Sequence, residues 1–277
     1  VKVFISVDIE GIAGVVHWDE TRGEGEEFQR ARRWMTGEAN AAVRGAFAGG
    51  ADEVVVNDSH GQQRNLLAEE LDPRARLVRG RLKPMMMMEG STPGTDAIFL
   101  IGYHARAGTG QAILNHTFSG KSIYQLSLNG QVVGEVGYNA ALAGSMGSPV
   151  ALVSGDDVLS REVELLLPWA ERVVVKRGVS SWAAENLSPQ ISCERIYQGA
   201  ARALARLNEM QLYQLPGPIN MEITFQRPIL TDLAAWIPTA RRVDGTTVAF
   251  DAENMIEINR AWVTVINLVA SHTDGYG

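Results

Sequence analysis

Three short runs, VKVFISV (1–7), EVVVN (53–57) and DAIFLIG (96–102), are apolar nearly throughout instead of alternating. A strand with one face in water alternates, whereas an unbroken apolar run suits a strand covered on both faces, as in parallel and mixed sheets. Between the first two runs, EEFQRARRWMTGEANAAVRGAFAGG places Phe28, Ala31, Met35, Ala39, Ala42 and Ala46 at three-or-four spacing and ends on Gly49–Gly50. That pattern predicts an amphipathic crossover helix with a C-terminal stop. PVALVSG (149–155) and RVVVKR (172–177) repeat the strand signature around a helix predicted over VLSREVELLLPWA. The expected fold class is therefore α/β, a layered and mostly parallel sheet flanked by helices.

After about residue 178 the rhythm changes. A helix is predicted near SCERIYQGAARALARLNEM, a strand at PINMEITF, a hairpin at RRVDGTTVAFDA and a closing helix from about 253 to 270. The expected division is an α/β domain over 1–178, which carries the candidate ligands named below, and a smaller α+β portion over 179–277. Within the first part, IYQLSLNGQVVGEVG carries Asn129–Gly130 between alternating segments, a strong hairpin signal. Glu135 follows at the predicted start of a helix, VGYNAALAG.

The 277 residues suffice for one large domain or two modest ones, and 45% hydrophobic with 21% charged residues is the ordinary globular range. A formal charge of −7 with no basic stripe argues against nucleic acid or an anionic membrane as the main partner, and favours a small molecule or peptide. Cys193 is the only cysteine, which excludes an internal disulfide and a cysteine-based zinc or iron–sulfur site. The first apolar run is too short for a signal-peptide core, and no stretch reaches the roughly 18 residues of a membrane span. The expected location is the cytoplasm.

All three early runs end in potential ligands: Asp8 and Glu10, then Asp58 and His60, then His104. In open α/β sheets ligands bind outside the carboxyl ends of the strands, where residues distant in sequence converge. His60, His104 and His116 lie in glycine-adjacent polar stretches, NDSHG, GYHARAG and NHTFSG, while His17 and His272 read as ordinary surface or loop residues. Carboxylates with imidazoles form a mixed O/N set suited to zinc, manganese, cobalt or iron, with zinc the best single match. Asp8, Glu10, His60, His104 and Glu135 exceed the four ligands of one closed site and fit two metals sharing a carboxylate, which points to hydrolysis. Asp58 and Asn115 read as groups that orient the neighbouring imidazoles, and Asp58 reads equally as a cap of the turn. The run MMMM (85–88) likewise reads as core filler or as an apolar pocket wall.

SVDIEGIAG, VNDSHG, GYHARAG, NHTFSG and GEVGYNAALAG, in that order and spacing, resemble the zinc-dependent D-aminopeptidase family associated with bacterial dipeptide-transport operons. The resemblance implies two zinc ions per chain bridged by Asp8, with Glu10 and His104 completing one site and His60 and Glu135 the other. It makes His116 the catalytic residue, with a nucleophilic role assigned in the family. General acid/base action on a water activated by the two ions is at least as consistent with imidazole chemistry. It further implies short peptide substrates with an N-terminal D-residue, D-Ala foremost, and a ring-shaped homo-oligomer, a decamer. Two other functions stay in view. VDIEG and SGDD loosely match the acidic motifs of magnesium-dependent haloacid-dehalogenase-like phosphatases, which would leave three histidines unexplained. A non-catalytic zinc-dependent binding or assembly protein would use a closed site, often with cysteine.

Overall fold

The computed structural model describes residues 1–270. In chain order its strands are β1 (Lys2–Val7), β2 (Glu53–Asp58), β3 (Arg76–Val78), β4 (Ala97–Ile101), β5 (Ile123–Leu128), β6 (Gln131–Val132), β7 (Val150–Asp156), β8 (Glu171–Ser180), β9 (Ala183–Asn186), β10 (Ile219–Phe225), β11 (Arg241–Arg242) and β12 (Thr247–Ala252). The α-helices are α1 (Glu26–Ala48), α2 (Glu135–Ser145), α3 (Asp157–Leu166), α4 (Pro189–Ala205), α5 (Pro228–Ala234) and α6 (Met255–Ala270).

The apolar runs form one sheet in the order β3-β2-β1-β4-β7-β8-β9. All pairs are parallel except β8 with β9. β1 shows why the runs do not alternate. Its Val3, Ile5 and Val7 enter a buried cluster with Met35 and Ala39 of α1 and Ile196 and Ala200 of α4. Phe4 points the other way, into a cluster with Ile98, Leu100, Val136, Met221 and Trp262. Both faces are dry, so apolar side chains are favoured on both. The α/β expectation is met.

A second, antiparallel sheet has the order β11-β12-β10-β5-β6. Its hairpin turns at Asn129 and Gly130, whose φ angles of 50° and 78° are those of the tight turn that Asn-Gly favours. β5 of this hairpin pairs with β10 from far along the chain. A division at 178 falls inside β8, α4 packs on α1 against the large sheet, and the second sheet draws strands from both sides of that point.

Two details differ from the sequence reading. α3 ends at Leu166 and does not continue through PWA, because the residue before Pro168 is pushed out of helical geometry and Leu167 takes φ −135°. The short elements β3, β9 and α5 had no periodic signal long enough to find. No helix among the described residues is long and apolar enough to cross a membrane.

Candidate metal centre

β1 lies between β2 and β4, and the chain winds outward in opposite directions from the β1–β4 pair. This is the switch point at which such sheets open a crevice beyond their strand ends. Asp8 and Glu10 follow β1, His60 follows β2 and His104 follows β4, so all four enter the same crevice. Glu135, the first residue of α2, and His116 arrive from the connection that also carries the hairpin. The β1 and β4 loops are pressed together. Asp8 N donates to Ile101 O at 2.8 Å and Gly11 N to Gly102 O at 2.7 Å. Gly102 has φ +70°, and a Cβ there would stand 2.4 Å from the Asp8 carbonyl, so only glycine permits this approach.

Inside the crevice the side chains are buried and close. His60 Nδ1 lies 3.1 Å from both Asp8 Oδ1 and Glu10 Oε2. His104 Nε2 lies 3.5 Å from Asp8 Oδ2 and 3.2 Å from Glu135 Oε1. His116 stands slightly further off, its Nε2 3.7 Å from Glu135 Oε1 and 3.9 Å from Glu10 Oε1, with its ring stacked on His104 at 4.0 Å. The direct contacts thus pair His60 with Glu10 and His104 with Glu135. The trio Asp8, Glu10 and His104 also presents ligand atoms within 4.8 Å of one another, as does the trio His104, His116 and Glu135.

Each imidazole is oriented by a backbone carbonyl behind it. His60 Nε2 donates to Thr21 O at 2.7 Å, His104 Nδ1 to Ala105 O at 3.0 Å and His116 Nδ1 to Leu114 O at 2.8 Å. A carbonyl can only accept, so these nitrogens carry the protons and the opposite ones face the carboxylates. A neutral imidazole then turns a lone pair toward the anionic oxygens, a geometry that a cation between them would complete. Glu10 Oε2 and His104 Nε2 are buried and make no hydrogen bond, despite neighbours at 3.1 and 3.2 Å. Outer nitrogens on carbonyls with inner nitrogens free is the usual support for metal-binding histidines.

Protons on His60 and His104 can balance the buried acids in the place of an ion. Burial, with Glu10 adding to it, pushes the Asp8 carboxyl up to about 7. Burial would raise Glu10 and Glu135 too, but His60 outweighs it at Glu10 and His104 at Glu135, and both are held below the carboxylate range. Burial pulls His104 down, yet Glu135, Glu10 and Asp8 together hold it up at about 10, and His60 is raised in the same way. Burial and the neighbouring His104 keep His116 below its ordinary value. Three acids buried together repel one another, and divalent cations relieve that repulsion. The donor set, the orphaned atoms and the charge balance all fit zinc.

The centre opens into a cavity of about 1010 Å³ lined in part by Trp18, Phe28, Met86, Met87, Asn115 and Phe118. A D-aminopeptidase family model matches residues 1–264. The chain belongs to the D-aminopeptidase family. It is 34% identical over 268 residues to a D-aminopeptidase of Bacillus subtilis (strain 168), covering 96% of this chain and 97% of that one. Its fold is similar, with a TM-score of 0.94, 33% identity and 98% coverage of each chain, to a solved structure described as the Zn-dependent D-aminopeptidase DppA from Bacillus subtilis, a self-compartmentalizing protease. The expected family and a metallo-aminopeptidase activity are thereby established, and the phosphatase and non-catalytic readings fall away.

The remaining expectations for this family member resolve residue by residue. Asp58 caps a loop: its oxygens accept from Asn65 N, Asn65 Nδ2 and Leu66 N, which pins the segment carrying His60. Asn115 donates to Ala112 O at 3.0 Å and makes no hydrogen bond to the His116 ring. In SGDD, Asp156 caps α3 through Leu159 N and also accepts from Ile113 N, both structural tasks. His17 caps a short 3-10 turn, as a loop residue should, and His272 lies outside the described residues. The methionine run serves both readings, since Met87 and Met88 are buried in the core while Met86 and Met87 also line the cavity.

Lys176 was passed over as part of a strand. It is buried beneath the β1 loop, and its ammonium donates to the carbonyls of Glu10, Ile12 and Val15 at 2.5, 2.9 and 2.6 Å. Burial lowers its pKa to about 8. All three of its donors are used, so the lysine moulds the backbone that presents Glu10. Lys176→Met keeps the volume but takes the lysine's donors from three buried carbonyls; Ile12 O keeps Val15 N at 3.2 Å, while the loss at Glu10 O and Val15 O costs about 1–3 kcal/mol each. The variant should melt well below wild type and retain less metal, which thermal melting with elemental analysis measures; an unchanged melting temperature would show that the lysine bears no such role.

Proposed function

We propose that the chain removes the N-terminal residue from short peptides, acting on small D-residues with D-Ala foremost, at a centre of two zinc ions. Asp8 is the shared ligand, Glu10 and His104 complete one site, and His60 and Glu135 complete the other. The observation that carries this reading is the placement of Asp8, whose Oδ1 faces His60 and whose Oδ2 faces His104. A carboxylate with a different imidazole at each oxygen is built to serve two ions. The zinc-dependence stated for the Bacillus subtilis DppA structure supports the choice of metal.

Zinc bound there supplies Lewis acidity, which polarises the scissile carbonyl and makes water a nucleophile near neutral pH. His116 supplies the mobile proton site. Its Nδ1–H is committed to Leu114 O, so Nε2 is left to take a proton from the attacking water and return it to the departing amine. Trp18, edge-on to the His116 ring at 5.3 Å, fixes the ring's tilt and covers it from bulk water. Buried carboxylates at the end of the cavity favour a cationic α-amino group, which suits an exopeptidase.

The self-compartmentalizing assembly stated for that relative supports a homo-oligomer here as well, a ring-shaped decamer in our reading. A cytoplasmic location accords with the single cysteine, Cys193, which has no disulfide partner in the chain. The direct test of the exopeptidase reading is N-acetylation. D-alanyl amides should be cleaved and their N-acetyl forms should not, by liquid chromatography of the products. Comparable turnover of both would indicate an amidase or endopeptidase.

A further inference from the structure

The chain carries a net charge of −7, yet the outer wall of the cavity is basic. The acids lining it are Asp8, Glu10 and Glu135, which are the ligands themselves; the cations lining it are Arg22, Arg32, Arg64, Arg79, Arg81 and Lys121. Among the described residues none of these six forms an ion pair with an aspartate or glutamate. The ligands are buried and the cations, Arg32 apart, are exposed, so negative charge sits deep in the cavity and positive charge toward its mouth.

Two of the cations are held as a pair. Arg32 Nη2 and Arg79 Nη2 both donate to the carbonyl oxygen of Arg64, at 3.5 and 3.4 Å. Arg32 is fixed further by Nε to Asn65 O at 2.7 Å and by Nη1 to Gln29 Oε1 at 2.8 Å. The loop that supplies these carbonyls is the one pinned by Asp58. Two guanidinium groups drawn to one oxygen repel each other and gain only long, weak hydrogen bonds. An anionic oxygen pair would offer each of them a short, charge-assisted one.

Resting on the aminopeptidase reading, we propose that Arg32 and Arg79 bind the terminal α-carboxylate of a short peptide substrate, which makes the chain selective for peptides with a free C-terminus. The amine then lies at the acidic end of the cavity and the carboxylate at the basic end, so the substrate's own dipole fixes its direction. Small zwitterionic peptides satisfy both ends; amides and long chains satisfy only one.

The test compares D-Ala-Gly with D-Ala-Gly-NH₂. Wild type should favour the free acid by about tenfold or more in kcat/KM, chiefly through KM, and the preference should shrink as salt screens the exposed charges. In Arg79→Gln the preference should fall to within about threefold. Arg79→Lys should lie between, because lysine keeps the charge but loses the fork. Equal use of acid and amide by wild type, or an undiminished preference in Arg79→Gln, overturns the proposal. D-Alaninamide has no carboxylate, and its hydrolysis tests the aminopeptidase reading alone. Calorimetric titration of zinc-loaded His116→Ala with the acid and the amide reads the same preference without turnover, so failure of the carboxylate site is distinguishable from failure of the chemistry.

Discussion

Asp8→Ala is expected to lose both ions, whereas His60→Ala and His104→Ala should each lose mainly one. Asp8 sends one oxygen to His60 and the other to His104, the two imidazoles proposed for different ions, and the rest of the set divides around it. Misfolding would not mimic this outcome. Within the chain the Asp8 carboxylate accepts from Ile9 N at 2.9 Å, contacts His60 Nδ1 at 3.1 Å, and repels Glu10 and Glu135. Its removal relieves repulsion among buried acids while depriving the ions of their shared ligand. Elemental analysis at saturating zinc should give two ions per chain for wild type and close to none for Asp8→Ala, with circular dichroism confirming the fold. One ion per saturated wild-type chain, or full loading of the Asp8 variant, would sink the shared-ligand assignment.

His116→Ala should retain both ions and bind substrate nearly as well, yet lose about 10²–10⁴-fold in kcat, the usual contribution of a positioned acid–base group. Its Nε2 stands 3.7 Å and 3.9 Å from the nearest carboxylates, outside the 3.1–3.5 Å contacts that the other two imidazoles make. The set of Asp8, Glu10, His60, His104 and Glu135 survives its loss. The competing outcomes separate cleanly when metal content, affinity and single-turnover rate are measured on one preparation. Loss of metal with activity would make His116 a ligand, and its membership of a trio with His104 and Glu135 makes that outcome concrete. Turnover within a few-fold of wild type would remove it from the mechanism. A burst of a covalent acyl species in wild type would turn it from acid–base to nucleophile.

The candidate centre was legible in the sequence because four of its proposed ligands sit at the ends of β1, β2 and β4, and those strands announce themselves as unbroken apolar runs. Local pattern fixes a strand's end, and the convergence of strand ends is a general property of the fold. The second sheet was not legible in that way. β5 was readable as half of an Asn-Gly hairpin, but its pairing with β10 depends on side chains that meet only after the chain has crossed the large sheet. Lys176 escaped notice because nothing local distinguishes a lysine feeding three carbonyls from one ending a strand in water. The Arg32–Arg79 pair is harder still, since the shared atom is a backbone oxygen that no side-chain pattern records. Asp58, two residues before the proposed ligand His60, was the converse case, a carboxylate in a suggestive motif whose partners are all loop amides.

The six residues of the candidate centre come from five separate stretches of chain, spread from Asp8 to Glu135, and one orienting carbonyl, that of Thr21, comes from a sixth. No unfolded chain can offer that constellation. Ions held there are therefore non-covalent cross-links, joining the large sheet to the helix that the hairpin of the second sheet delivers, and their binding energy counts toward folding. Each tenfold excess of free ion over its dissociation constant adds about 1.4 kcal/mol per site to the folded state. Fold and cofactor then form one thermodynamic system: a cell short of the ion would keep fewer intact copies of this protein, not a full stock of idle ones.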